Sequence, residues 1–440
     1  MSGWKKLFFV CLILGTIACF GVNLMIKESS PWRRNSLLRR WRISNNDSQR
    51  YNWQTAGPNV AVRKGTNSEL RKNINMAVFN CNPFWLVRAN LDKSQTVYSC
   101  PKSKRTITVK SAYRDIDALS NADIIIFAAW LRDTKLWEKV VEKRNRQQIW
   151  VYSTAESAYF SPQIRDGDRP IGFGHFSFNM SFGYHSLSNV LAPFGEYRPF
   201  RDERKTIPLT NYFRKKKNII SWVSSHCDNQ FWNRTGFVNN LAKLVPVDTY
   251  GACGNKHLPR GSAMIDILEK YKFNLALENS CCSEYISEKL WNSLADFQSV
   301  PIVVGPSKSD YERIAPPNSC IFASDFESLE DLSGYLRKLS RNPTLYNKYH
   351  EWRRHGDVIT YSSKRVYPFT SKESACALLE FLERLSEGEE QLEMKFNPFG
   401  KSWLGSCKAC GEKDWMRKFN MNPDAFNPTL RKPPEQRRNS

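Results

Sequence analysis

Residues 271 to 305, YKFNLALENSCCSEYISEKLWNSLADFQSVPIVVG, carry the pattern that decides the fold. They predict a buried strand over Phe273–Leu277, a short polar turn and an amphipathic helix over about Glu284–Asp296. A second buried strand is predicted over Val300–Val304. Strand, helix and strand in this order form a βαβ unit, and such units bind ligands at the carboxyl ends of their strands.

The carboxyl end of the first of these strands carries polar residues, Glu278 and Asn279. Tyr285, Glu288 and Lys289 follow at spacings that place them on one face of the predicted helix. A lysine and a tyrosine near a helix N-terminus can bind a diphosphate, because backbone N–H groups and the helix dipole add to the positive charge. From the pattern alone, the alternative is a solvated helix face with an ordinary Glu–Lys pair.

The pattern ENS-x4-Y-x-S-E-K-L-W, followed by VPIVVGPS-x2-DYERIAPPNSCI, closely resembles the donor-binding signature of the α1,3-fucosyltransferases, glycosyltransferase family 10. Ser287 stands where this family usually has threonine, and it keeps the hydroxyl group. A weaker resemblance extends from about Asn75 to Cys410. It implies a GT-B-like fold, in which two Rossmann-like domains face a cleft, and inverting transfer of L-fucose from GDP-β-L-fucose.

The alternation of apolar runs and helical patterns independently predicts an α/β chain with two doubly wound domains. We expect an acceptor-side domain at 73–205, a GDP-fucose-binding domain at 206–380 and a C-terminal segment with a flexible tail at 381–440. Arg198–Lys217 is the predicted hinge. The predicted strands are Met76–Phe79, Ile124–Ala128, Ile149–Tyr152, Asn218–Val223, Val247–Tyr250, Phe273–Leu277 and Val300–Val304, and the predicted helices include Thr134–Arg144, Arg234–Leu244, Ser262–Tyr271 and Phe326–Leu339.

The N-terminal region predicts a membrane anchor. Residues 7–26 form a run of 20 residues without a charge, which is long enough to span a bilayer. Residues 1–6 would be a cytoplasmic tail, and the Arg-, Ser- and Asn-rich residues 27–72 a stem. The basic residues after the anchor favour the opposite orientation. The sequons and cysteines favour a lumenal globule, so we predict a single-pass type II protein of the Golgi membrane, as the resemblance also implies.

Two features favour an oxidising lumen. N-glycosylation sequons occur at Asn46, Asn179 and Asn233. Ten of the twelve cysteines lie outside the anchor.

The net charge of +22 could also indicate nucleic-acid binding, but the basic residues are dispersed and no nucleic-acid-binding motif accompanies them. We therefore expect no nucleic-acid partner.

The resemblance implies roles for individual residues. Glu156, in IWVYSTAES, corresponds to the catalytic carboxylate that deprotonates the acceptor hydroxyl. Arg234 and Lys289 would stabilise the departing diphosphate. Without these roles, Glu156 would be a loop carboxylate that caps a turn, and Arg234 would be a surface residue on a helix.

The remaining donor residues also follow from the resemblance. Glu288 would hold fucose or ribose hydroxyls, Asn279 and Tyr285 would contact sugar and phosphate, and Glu278 belongs to the same donor-binding set. The predicted reaction is α1,3 transfer to a GlcNAc residue of glycoprotein N-glycans, in the core or an antenna. No cofactor is required, and Mn²⁺ or Mg²⁺ would at most stimulate.

The acceptor side departs from the family pattern. In FNMSFGYHSLSNV, Tyr184 is kept, but His185 replaces an arginine and Asn189 replaces an aspartate. These changes keep a second hypothesis open, that of a catalytically silent, membrane-anchored glycan-binding relative. They also suggest a preference for a neutral acceptor, because histidine is usually uncharged at neutral pH.

The sequence also contains short motifs that could bind a metal or form disulfides. Two short D-x-D patterns, Asp115/Asp117 and Asp166/Asp168, match a metal–nucleotide motif too weakly for a metal to be assigned. Cys407-Lys-Ala-Cys410 has no second CxxC or His pair to complete a zinc site. The resemblance implies that this pair bridges back to the start of the acceptor domain, where Cys81 and Cys100 lie.

Overall fold

The computed structural model describes residues 73–420, apart from some internal stretches. The predicted tail, anchor and stem therefore lie outside the described residues, as do Asn46, Cys81 and the Asp166/Asp168 pair. Across the part that is described, no helix is long and apolar enough to cross a membrane. The stretches left out are 80–85, 88, 92–94, 104, 114, 129–138, 146–147, 161–177, 202–207, 209, 228–230, 362–366, 388–400 and 412.

The first sheet has the order β2-β3-β1-β4-β5-β6-β7, in which β2 is antiparallel to β3 and the other neighbours are parallel. Its central strands are short apolar runs with both faces covered, as is usual in parallel sheets. Ile126 and Val151 face one apolar cluster, whereas Phe127 and Trp150 face another. The strands are β1 (Asn73–Phe79), β2 (Thr96–Ser99), β3 (Thr106–Tyr113), β4 (Ile124–Phe127), β5 (Ile149–Thr154), β6 (Met180–Gly183) and β7 (Val190–Leu191).

The second sheet is parallel throughout, with the order β10-β9-β11-β12-β13. All seven residues of β11 are buried, which explains its continuous apolar reading. The strand order reverses at β9, so β9 and β11 flank a topological switch point, where open α/β sheets bind ligands. The strands are β9 (Asn218–Val223), β10 (Val247–Tyr250), β11 (Tyr271–Leu277), β12 (Val300–Val304) and β13 (Ile321–Phe322).

Helices alternate with the strands of the second sheet and continue beyond it. Side-chain caps start several of them: Asn233 accepts from the Gly236 N–H, and Ser307 forms a capping box with Asp310. The helices are α1 (Arg234–Ala242), α2 (Ser262–Leu268), α3 (Glu288–Ala295), α4 (Lys308–Ile314), α5 (Leu329–Ser340), α6 (Pro343–Lys348), α7 (Lys372–Ser386), α8 (Lys401–Leu404) and α9 (Asp414–Arg417).

Two later segments tie the sheets together. Strand β8 (Gly195–Pro199) pairs antiparallel with β14 (Gly356–Thr360). Helix α7 packs on β2 and β3 of the first sheet, where the Ser103 hydroxyl donates to Glu383 at 2.5 Å and Cys100 is bonded to Cys376. Helix α7 therefore spans the predicted end of the donor domain at residue 380 and returns the chain to the first sheet.

Candidate active site

Loops at the carboxyl ends of the two sheets meet at one junction. Glu156 follows β5 of the first sheet, and Asn279 follows β11 of the second. The Asn279 amide Nδ2 donates to Glu156 Oε2 at 3.2 Å, and the Tyr285 hydroxyl lies 3.4 Å from the same oxygen. Next to this contact, the hydroxyl of Ser280 donates to that of Ser157 at 2.6 Å. Residues far apart in the sequence thus surround one carboxylate.

The surroundings of Glu156 change the pKa of its carboxyl group. Its side chain reaches solvent at the junction, and the loops of both sheets that pack around the carboxylate desolvate it in part. This desolvation raises the pKa of Glu156, while the charge of Lys289 and the Asn279 hydrogen bond partly oppose the rise. A raised pKa makes Glu156 a stronger base than an ordinary glutamate once it is ionised.

Lys289 lies in the first turn of α3, with Ser287 at the N-cap. Its Nζ atom donates to Ser287 Oγ at 2.8 Å and lies 3.2 Å from oxygens of both Glu278 and Glu288. Burial by itself would lower the pKa of Lys289, but the two carboxylates outweigh that effect, and the net pKa is raised. The ammonium group therefore stays charged at the start of the helix, and its side chain keeps 23% exposure for contact with a ligand.

Glu278 does not have the position expected of a donor-binding residue. It is fully buried and accepts hydrogen bonds from the backbone N–H and the hydroxyl of Ser287, at 2.8 and 2.7 Å. A Cβ atom at Gly305 would lie only 2.9 Å from its Cγ atom, so the backbone must approach closely there. Glu278 has no exposed surface for a donor molecule, and it holds Ser287 and Lys289 in place instead.

Arg234, the first residue of α1, joins the loops that follow β9 and β11. Its Nη1 atom donates to the Leu277 carbonyl at 3.3 Å and Nη2 to the His226 carbonyl at 3.1 Å. Burial lowers the pKa of Arg234, and the nearby carboxylate of Glu278 opposes the shift most strongly. Arginine nevertheless stays protonated in proteins. The switch point of the second sheet thus contains a fixed positive charge.

The aromatic residues of the acceptor side pack against Tyr285. The rings of Tyr184 and Tyr285 meet edge to face, with centroids 5.2 Å apart, and Trp403 lies against Tyr184 and His185. The predicted helix start at Glu284 is wrong, since α3 begins at Glu288. Glu284 instead has a φ of +60°, and this left-handed turn directs Tyr285 away from the helix, toward Glu156.

The two residues that depart from the family pattern have separate surroundings. Asn189 Oδ1 accepts the backbone N–H of Ser181 at 2.9 Å, which links the end of the loop back to β6. His185 is half-buried, and its Nδ1 atom accepts from the Leu187 N–H at 3.2 Å. Burial lowers the pKa of His185, although Glu284 partly opposes this. A neutral imidazole therefore lies beside Tyr184.

The predicted disulfide partners of Cys407 and Cys410 are wrong. Both residues bond to the adjacent pair that follows β11, and Cys100 bonds elsewhere. The cause is the packing of the C-terminal segment, whose Ser406 carbonyl accepts the Ser283 N–H at 3.0 Å. This segment therefore lies beside the loop that follows β11, next to the candidate site. The disulfides are Cys100–Cys376, Cys227–Cys253, Cys281–Cys410 and Cys282–Cys407.

The two described sequon asparagines already use their side chains. Asn179 is half-buried and accepts from the Trp150 N–H at 2.8 Å, whereas Asn233 is exposed and caps α1. Among the described residues, no group of three or more His, Cys, Asp or Glu side chains could hold a metal ion. In the described D-x-D pair, Asp115 accepts two backbone N–H groups and Asp117 pairs with Lys143.

Sequence reasoning missed several contacts of this site, above all those of Glu284, Ser186 and Trp403. Glu284 accepts hydrogen bonds from Ser186, and Trp403 packs on the acceptor-side aromatic residues. For Trp403 the sequence held one signal: the cysteine pairs Cys281/Cys282 and Cys407/Cys410 could have indicated that these two segments meet.

Comparisons with known proteins find fucosyltransferases among the sequences similar to this chain. The family described as glycosyltransferase family 10 (fucosyltransferase) C-term matches residues 213–395. The human 4-galactosyl-N-acetylglucosaminide 3-alpha-L-fucosyltransferase FUT6 is 35% identical over 214 residues, which is 48% of this chain and 55% of that protein. The human 3-galactosyl-N-acetylglucosaminide 4-alpha-L-fucosyltransferase FUT3 is 36% identical, with the same two shares. The bovine alpha-(1,3)-fucosyltransferase 4 is 33% identical over 47% of this chain and 50% of its own length.

This chain thus spans about half the length of the curated relatives that it matches. Among solved structures, an alpha1,3-fucosyltransferase with GDP-fucose has a TM-score of 0.44 and 15% sequence identity, and the match covers 76% of this chain and 96% of that one. The matched residues 213–395 contain Arg234, the loop after β11 and Lys289. The resemblance seen in the sequence is confirmed for the part that carries it: residues 213–395 match the C-terminal domain of glycosyltransferase family 10, the fucosyltransferases.

Proposed function

We propose that the protein transfers L-fucose from GDP-β-L-fucose, with inversion and in α1,3 linkage, to a GlcNAc residue of glycoprotein N-glycans. One observation carries the proposal: the carboxylate of Glu156 from the first sheet meets Asn279 and Tyr285 from the second, beside Lys289. A base and a cation at one junction suit a reaction that removes a proton and releases a diphosphate. The names of the relatives support fucose as the transferred sugar.

The proposed step is a single displacement at C1 of fucose. Glu156 takes the proton of the acceptor hydroxyl while the acceptor oxygen bonds to C1. The bond from C1 to the diphosphate oxygen breaks, and its electron pair leaves with GDP. Lys289 and Arg234 stabilise the charge that develops on this leaving group. Glu288, whose side chain is 39% exposed, is the proposed partner of fucose or ribose hydroxyls.

The proposal includes the setting of the enzyme. A GT-B-like arrangement, with donor and acceptor on opposite sheets, would place GDP at the switch point between β9 and β11. Residues 7–26 would anchor the chain in the Golgi membrane, with its catalytic part in the lumen. The four disulfides support an oxidising compartment. The test is to incubate the protein with GDP-fucose and a panel of glycans and to weigh the products.

Activity should depend on pH through Glu156. A base must be ionised, and the raised pKa moves the loss of activity on acidification to a higher pH than an ordinary glutamate would give. Asn279→Ala removes a hydrogen bond that favours the ionised form, so this acidic limb should move further toward neutral pH. Plotting kcat/KM against pH for both proteins checks this. An acidic limb that moves to lower pH in the variant would contradict the assignment.

Chelation by EDTA should leave substantial activity. Arg234 and Lys289 supply the positive charge that a metal provides in other transferases, and Mn²⁺ or Mg²⁺ should at most stimulate. The measurement compares initial rates after dialysis against EDTA with and without added Mn²⁺. Complete loss that Mn²⁺ restores would instead indicate a metal-dependent reaction.

A catalytically silent glycan-binding relative is the second candidate. The neutral, half-buried His185 favours it, since the family's arginine at this place would supply a fixed charge. Binding of a glycan without any product from GDP-fucose would support this function and exclude the enzyme.

A further inference from the structure

A direct contact joins the acceptor side to the donor side near the candidate base. We define the acceptor loop as residues 184–189 and the donor loop as residues 278–287. Ser186, in the acceptor loop, donates its hydroxyl to Glu284 Oε1 at 2.6 Å and its backbone N–H to Oε2 at 2.5 Å. Both oxygens of one carboxylate therefore hold one residue of the opposite loop, and we call this contact the clasp.

A positively charged guanidinium group and the neutral imidazole of His185 lie beside the same carboxylate. Arg313 Nη2 lies 3.1 Å from Glu284 Oε1, and His185 Nδ1 lies 3.8 Å from Oε2. The Glu284 side chain is only 13% exposed, whereas its partner Ser186 lies at the surface. Hydrogen bonds to an ionised group are the stronger kind. The clasp therefore combines two hydrogen bonds with an ion pair at one carboxylate.

The backbone of Glu284 is also unusual. Its φ of +60° lies in the left-handed region, which a residue with a long side chain rarely adopts. A glycine would adopt this conformation without strain. Glutamate occupies this position although glycine would suit the backbone better, and its carboxylate is bound on several sides. This indicates that the contacts of the side chain explain the choice of residue, and the shape of the turn does not.

The clasp lies directly beside the residues that surround Glu156. Tyr285 follows Glu284 in the chain, and Tyr184 lies two residues before Ser186. The two tyrosine rings pack edge to face, with centroids 5.2 Å apart, and the Tyr285 hydroxyl lies 3.4 Å from Glu156 Oε2. Release of the clasp would free both loops and loosen this chain of contacts to the base.

We propose that Glu284 is a positioning residue for the transfer reaction. Through Ser186 it holds the acceptor loop against the donor loop, keeps Tyr285 on Glu156 and limits the access of water to the reacting sugar. This inference rests on the proposed function, because it names a residue that serves the same site. Loss of the clasp should therefore affect the acceptor and water more than it affects GDP.

The test compares Glu284→Gly, Glu284→Gln and Ser186→Ala with the parent protein. Glycine suits the left-handed backbone, so Glu284→Gly removes the carboxylate without straining the fold. Glu312→Gln on α4 is the matched control, since Glu312 is an exposed glutamate nearby. The probes are GDP-fucose and a biantennary glycopeptide with terminal GlcNAc. The rates of transfer and of GDP-fucose hydrolysis are measured together.

Glu284→Gly should lower kcat/KM for the glycopeptide about tenfold or more, since a small misplacement of reacting groups is costly. The ratio of hydrolysis to transfer should rise, and the dissociation constant of GDP, from calorimetry, should stay within about twofold. Glu284→Gln keeps one acceptor oxygen and should retain part of the activity. Parent-level transfer and hydrolysis in Glu284→Gly, or an equal effect in Glu312→Gln, would overturn the proposal.

Hydrogen exchange separates this inference from the proposed function. The backbone N–H of Ser186 should exchange faster in Glu284→Gly than in the parent or in Glu312→Gln, whatever the reaction is. Unchanged exchange would refute the clasp itself. If the parent neither binds GDP nor consumes GDP-fucose, the proposed function fails, and the positioning role fails with it even where exchange shows the clasp.

Discussion

Glu156→Gln should lower turnover by about 10² or more, because the amide keeps the shape of the side chain but cannot accept the proton of the acceptor hydroxyl. The affinity for GDP should change little, because Lys289 and Arg234 remain in place. The variant amide can still accept hydrogen bonds from Asn279 and Tyr285, which now surround the carboxylate. The local structure should therefore survive the change.

The measurement is kcat with saturating GDP-fucose, together with calorimetric titration of GDP. Glu142→Gln is the matched control, since Glu142 is an exposed glutamate that precedes β5. Near-parent turnover in Glu156→Gln would remove Glu156 from the role of base and leave the tyrosines as the groups to test next.

Arg234→Ala and Lys289→Ala should each weaken GDP binding and lower kcat/KM. The expected loss of transition-state stabilisation is about 2–4 kcal/mol, which corresponds to roughly thirtyfold to a thousandfold in rate. Lys289→Ala should also destabilise the fold, because it leaves the fully buried Glu278 without its cation. Arg234→Ala should do the same by releasing the buried Leu277 carbonyl and the partly buried His226 carbonyl.

Thermal unfolding must therefore accompany calorimetric titration of GDP. Lys308→Ala and Arg354→Ala are the matched controls, because both residues form exposed ion pairs that involve none of the proposed donor-binding residues. Unchanged GDP affinity in both Arg234→Ala and Lys289→Ala would mean that the nucleotide binds elsewhere. Lost affinity only in proportion to lost stability would assign the two residues a structural role.

Sequence patterns predicted four strands of the second sheet well, and the clearest signals came from β11 and β12, whose residues are all buried. The predicted bounds of Asn218–Val223, Val247–Tyr250 and Val300–Val304 are confirmed, and β11 begins two residues earlier than expected. Strands β2 and β3 were missed. Their runs TVYS and TITVKSAY mix polar and apolar residues, because β2 is half-exposed and β3 has exposed positions.

The candidate site was predictable where it depends on the ends of strands, as for Glu156, Asn279 and Lys289. The site was not predictable where its contacts depend on packing between residues that are far apart in the sequence. Nothing local to Glu278 indicates that Ser287 and Lys289 enclose it, and nothing local to Glu284 indicates a left-handed turn held by Ser186. Disulfide partners likewise depend on which segments meet, and a spacing pattern does not specify that.

The two bridges between the donor loop and the C-terminal segment also set an order of events during synthesis. Cys281 and Cys282 leave the ribosome 129 and 125 residues before Cys410 and Cys407. Both sheets can form while the chain is still being made, since domains generally fold as they emerge. The donor loop cannot acquire its first covalent attachment until Cys407 has been translated and oxidised, or its second until Cys410 has. A chain truncated before Cys407 would thus contain both sheets but would lack the two disulfides that fix the donor loop. Completion of the site therefore depends on translation of Cys407 and Cys410.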